Sequence, residues 1–158
     1  MRAPIRVWVL VAVLFVLHFL LHVGFGFGAG APDLLTIALL LAVREIGMGG
    51  GAVLGLCFGL FEDALSVLAF GANTIAMTVA AIGGAYTRDL FVGDSRFFLA
   101  SYLLIGKWLR DLFHWMAVGE GLRQPFVDQV LIQGAASAVY AAAIGLVLAA
   151  VTGLGREA

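Results

Sequence analysis

Residues 7–23 read VWVLVAVLFVLHFLLHV, and the only titratable side chains in the run are His18 and His22. A helix over these 17 positions is about 26 Å long, close to the roughly 30 Å of a bilayer's hydrocarbon core. Arg2 and Arg6 precede it, as cations precede a secretory signal. The run is longer than the roughly 7–15 residues of a signal's apolar region, so it reads as a retained first helix. A cleavage site after Gly24 is the alternative, and the remaining chain would still carry several apolar spans.

The composition points the same way along all 158 residues: 63% are hydrophobic and only 12% are charged, too few polar groups to cover a water-facing surface. The mean hydropathy is +1.08. Lipid is therefore the expected partner of most of the exterior. Nine basic and ten acidic residues form no cationic cluster, which argues against a nucleic-acid surface. A lone cysteine, Cys57, excludes an intrachain disulfide and reads as a small core residue.

The expected architecture is all-α and polytopic: one integral membrane domain over 1–158 with six transmembrane helices at about 7–23, 33–43, 48–61, 73–86, 97–118 and 129–148. Charges at Arg44–Glu45, Glu62–Asp63 and Arg88–Asp89 mark the ends of the second, third and fourth segments. These three are short against the ~20 residues that cross a bilayer. Helices extending through their flanking charges, local thinning of the bilayer and a re-entrant pair are the available explanations, and extension is preferred. With the N-terminus inside, Arg2, Arg6, Arg44, Arg88, Arg96 and Arg156 fall on the cytoplasmic side and Arg123 on the other, as the positive-inside rule asks. Both termini are then cytoplasmic.

Gly47, Gly51, Gly55 and Gly59 repeat every four residues, and Gly134, Ala138 and Ala142 do the same. Small residues at this spacing share a helix face and let another backbone approach. Internal packing of one bundle is the simpler reading; docking of a partner's helix is compatible with it.

Lys107, Arg110, Asp111 and His114 lie on one side of the fifth segment, with Lys107 near mid-membrane. Charges there face a bundle interior or a cavity and pair with one another. An internal ion pair between Lys107 and Asp111 is the leading reading. A contact with a partner, a proton or transport path, and an amphipathic interfacial helix over 107–116 are the alternatives. Glu62 and Asp63 point about 100° apart on a helix, so one acid capping or bridging to the next helix is simpler than shared chelation. His18 and His22 lack a second ligand pair for a metal. No HExxH, GxSxG or Walker loop is present, so no catalytic, cofactor or metal residue is assigned.

Three stretches carry a resemblance: Pro32-Asp33-Leu34-Leu35, the glycine-rich helix ending GLFEDALS with Asp63, and Phe70-Gly71-Ala72-Asn73. Over residues 32–90 the chain resembles the bacterial rod shape-determining MreD family. The resemblance implies a multi-pass protein of the bacterial inner membrane, with a compact bundle similar to the membrane S components of energy-coupling-factor transporters. It implies a non-enzymatic scaffold of the cell-elongation machinery that binds MreC and helps position and regulate peptidoglycan synthesis. RodA, a class B penicillin-binding protein, MreB and RodZ would belong to the larger complex. The alternative function is a substrate-binding membrane subunit of a small-molecule, vitamin-type transporter.

Overall fold

The computed structural model describes residues 5–25, 32–66, 69–88 and 96–153. Among them the secondary structure is helical throughout. Helix α1 (Ile5–Phe19) closes in a π-helical turn, Leu20–Gly24. Helix α2 (Leu34–Leu65) is followed by α3 (Ala72–Arg88) and α4 (Arg96–Ala117). A 3₁₀ turn, Glu120–Leu122, and a π-helical stretch, Val127–Gln133, lead into α5 (Gly134–Thr152). Arg2, Asp89 and Arg156, assigned above to the cytoplasmic side or the membrane exit, lie outside the described residues.

Helix α2 is broken at Gly47, whose φ of 74° and ψ of −177° are open to glycine and strained for other residues. The chain stays helical through Arg44 and Glu45, the charges that mark the expected end of this segment. A charged side chain can reach past a helix end to water, whereas a positive φ stops the hydrogen-bond ladder. Gly47 is thus the break and not a member of the packing stripe that begins at Gly51. At the other side of the break, Gly51 sits against the side chain of Val43.

Contacts with α3 fix the directions of the two halves of α2. Thr36 meets Met77 and Leu40 meets the Gly84 position, so the first half runs parallel to α3. Gly55 lies against Met77 and Ala81, and Gly59 against Asn73 and Thr74, so the second half runs antiparallel to it. Helix α2 is therefore a hairpin folded at Gly47. Phe15 packs against Phe58 and meets Phe61 edge-on, which sets α1 alongside the second half. Tyr102 donates to the Leu40 carbonyl at 3.0 Å, and Gly145 faces Leu103, so α4 and α5 close the bundle around the first half.

Every residue from Leu34 to Val43 is buried, none more than 4% exposed. A helix apolar and buried all round is a core element. The exterior is apolar as well: Val53, Val139, Val147 and Val151 are 59–80% exposed. Three helical stretches, Ile5–Gly24, Leu34–Leu65 and Val127–Thr152, are long and apolar enough to cross a membrane. The middle one comprises both arms of the hairpin, and its second arm, residues 48–65, is about 27 Å long by itself. Cys57, expected in the core, lies on this exposed surface.

The glycine positions divide sharply. A Cβ at Gly55 would stand 2.6 Å from the Met77 carbonyl oxygen, and one at Gly59 would strike the Thr74 backbone. Gly83 has nothing within 4 Å. Gly59→Ala is expected to cost about 1–3 kcal/mol and lower the unfolding temperature in detergent, while Gly83→Ala leaves it close to the parent value. Equal midpoints for the two variants would disprove the backbone-to-backbone packing of α2 on α3.

Candidate functional site

The polar residues gather at one end of the bundle. Asp33 caps α2, accepting from the Thr36 backbone N–H at 3.0 Å and the Thr36 hydroxyl at 2.6 Å. Because the helix it caps is central, its carboxylate is also turned inward. Lys107 Nζ on α4 stands 3.4 Å from Asp33 Oδ2 and pairs at 2.5 Å with Asp111, one helical turn further on.

Arg110 extends the network. It donates to Glu62 at 2.6 Å and to the Asn73 side-chain oxygen at 2.7 Å, and approaches Asp111 at 3.2 Å. Asp111 accepts from the Ser137 hydroxyl of α5 at 2.9 Å. His18 of α1 lies 3.7 Å from Glu62. The interactions thus join all five helices, and the Lys107 and Arg110 side chains at their centre are 6% and 10% exposed. Taking these charges out of water is costly unless each is paired, so the network holds the helices in one register.

The adjacent acids separate as the ~100° helical step requires. Glu62 turns to Arg110, whereas Asp63 turns to the next helix. Asp63 is fully buried and accepts from the backbone N–H groups of Asn73 and Thr74 at 3.0 and 2.9 Å. It satisfies two of the unpaired donors that open α3 and places negative charge at the positive end of that helix. Gly71, with φ of 96°, lets the chain enter α3 in this position. Arg123 performs the corresponding task at the end of α4, donating to the carbonyls of Met116 and Val118, both at 2.6 Å.

Of the residues singled out in the sequence, Lys107, Arg110, Asp111, Asp33, Asp63, Gly71 and Asn73 come together here. His114 stays outside the ion pairs, with its Nδ1 buried and unpartnered. Gly55, Gly59, Gly134, Ala138 and Ala142 are consumed in internal packing, Gly134 facing Trp108 and Asp111. Residues 107–116 belong to the continuous helix α4, anchored by Trp108 Nε1 donating to the Val130 carbonyl at 3.0 Å. His18 and His22 stack at 4.0 Å, and the described residues contain no cluster of three metal-ligating side chains. The parts the sequence did not point to are Ser137 and the approach of His18 to Glu62. Ser137 carried a faint signal as a hydroxyl within a Gly/Ala helix; nothing local linked His18 to Glu62.

Beside the network lies a cavity of about 420 Å³ between the start of α2 and α5, lined by Asp33, Lys107, Gln133, Ala136, Ser137 and Tyr140. Glu62 and Asn73 are not among its described lining residues.

Comparison of the chain with protein families, with curated proteins and with solved structures gives no match.

Asp111→Ala removes the acid shared by Lys107, Arg110 and Ser137, and is expected to destabilise the folded protein by about 3–5 kcal/mol in detergent unfolding. Asp63→Ala, which uncaps α3, is expected to cost about 1–2 kcal/mol by the same measurement. A neutral Asp111→Ala would mean that water already reaches the pair.

Proposed function

We propose that this chain is a non-enzymatic, MreD-like membrane scaffold of the bacterial elongation machinery, which binds MreC and helps position peptidoglycan synthesis. The observation that carries the reading is the use made of the residues behind the resemblance. Asp33, Asp63, Gly71 and Asn73 meet at one end of the bundle, and each either starts a helix or ties one helix to another. Such residues specify a rigid surface shape.

In this reading the two arms of α2, with α1, α3, α4 and α5, make six spans of alternating direction in the inner membrane. The first arm of α2 is short for a span, at about 20 Å over Leu34–Ile46. Its protein wrapping makes that length tolerable, since lipid touches little of it. Arg6, Arg44 and Arg96 stand at the end opposite the ionic network, while Arg123 stands at the network end, which favours cytoplasmic termini. MreC would dock on the exposed apolar exterior, because the glycine and alanine faces are filled from within. RodA, the class B penicillin-binding protein, MreB and RodZ would join through the larger assembly.

A transporter substrate-binding subunit is the second reading, favoured by the cavity beside Asp33 and Lys107. Affinity purification from native membranes in mild detergent separates the two. The scaffold reading expects stoichiometric MreC in the mass spectrum. Recovery of an ATPase pair with a transmembrane coupling subunit, and no MreC, would replace it with the transporter.

A further inference from the structure

The cavity between the start of α2 and α5 has a chemical polarity of its own. Its wall carries one carboxylate, Asp33, and one ammonium, Lys107, with Ser137, Gln133 and Tyr140 offering neutral hydrogen-bonding groups. A simple anion would meet the Asp33 carboxylate 3.4 Å from the lysine; a simple cation would meet the lysine. A ligand carrying both signs close together satisfies both, as small-molecule sites do with a few placed polar groups. The volume of about 420 Å³ is at the small end for such sites and suits a headgroup-sized molecule.

The way in is also defined. Gln133, Ala136 and Tyr140 fall on one face of the α5 helix and are exposed. That helix is long and apolar enough to cross a membrane, so its exposed face meets lipid. Gln133 is the last residue of the π-helical stretch that leads into α5. A π-helical turn shifts the register of the helix beyond it, and such turns recur at functional sites. Gln133 and Ser137, four residues apart, both lie on the cavity wall.

We propose that this cavity binds a zwitterionic phospholipid headgroup of the phosphoethanolamine type, entering laterally past Ala136. Asp33 receives the ammonium, and Lys107, which keeps donors beyond the one it gives Asp111, receives the phosphate, while the Ser137 hydroxyl stays on Asp111. The inference rests on the membrane location alone and is independent of the scaffold role.

The test is native mass spectrometry of the full chain released from micelles containing equal phosphatidylethanolamine and phosphatidylglycerol. The expected result is retention of phosphatidylethanolamine over phosphatidylglycerol by about tenfold, the ratio a single charged contact provides. Ala136→Trp, at the exposed rim and outside the ion pairs, abolishes that retention while the protein stays folded. Asp33→Asn erases the preference between the two lipids. Equal retention of both lipids by the parent chain overturns the proposal, as does undiminished retention in Ala136→Trp. Stabilisation by free phosphoethanolamine with no retained phospholipid, lost in Ala136→Trp, overturns the lipid source and assigns the dipolar site to a soluble ligand.

Discussion

A helix with no exposed face has to be enclosed, and the first half of α2 is such a helix. From Leu34 to Val43 it offers apolar side chains in nearly every direction, so α3, α4 and α5 pack around it. The fold-back at Gly47 makes this possible within one chain. It returns the second half of α2 alongside the first and brings α1 with it through Phe15 and Phe58. The small residues then follow from distance: Gly55 and Gly59 bring the second half of α2 against the α3 backbone, while Gly84 and Gly106 make room for Leu40.

Enclosing that helix also encloses its polar start. Asp33 cannot turn to water without leaving the cap of α2, so a cation has to come to it, and Lys107 does. Lys107 in turn needs Asp111, and Arg110 beside it needs Glu62 and Asn73. The ion pairs are therefore less a source of stability than a condition on register. In an apolar surrounding, a slip of one helical turn would leave a buried charge unpaired, which costs more than the pair contributes. Apolar contacts between helices in lipid discriminate poorly between registers, because lipid tails compete with them on equal terms. The polar end supplies the missing discrimination.

The same arrangement separates two chemical roles. On the Glu62–Asn73 side the charges are closed upon each other and joined to α1 and α3. On the Ser137 side, Asp33 and Lys107 border an open space reached from the face of α5. The rigid side suits a component whose task is to hold a shape. The open side holds the proposed headgroup site.

Much of this was legible along the chain. The membrane character follows from Val7–Val23 and the scarcity of charge, because solvent preference is additive over residues. The Lys107–Asp111 pair follows from helical spacing, and the separation of Glu62 from Asp63 from the ~100° step. These are local rules and need no tertiary knowledge. The role of Gly47 was misjudged, since its spacing places it in the packing stripe while its positive φ makes it the break between the two arms of α2. Equally hidden were the pairing of Lys107 with Asp33, the approach of His18 to Glu62 and the cavity beside Ser137. Each joins residues far apart in the chain, and nothing in a linear order says which helices will be neighbours. Side-chain character along the chain sets the solvent, the helices and the need for charge pairing; the choice of partners comes only with the enclosure of one central helix, because that packing brings particular helix ends together.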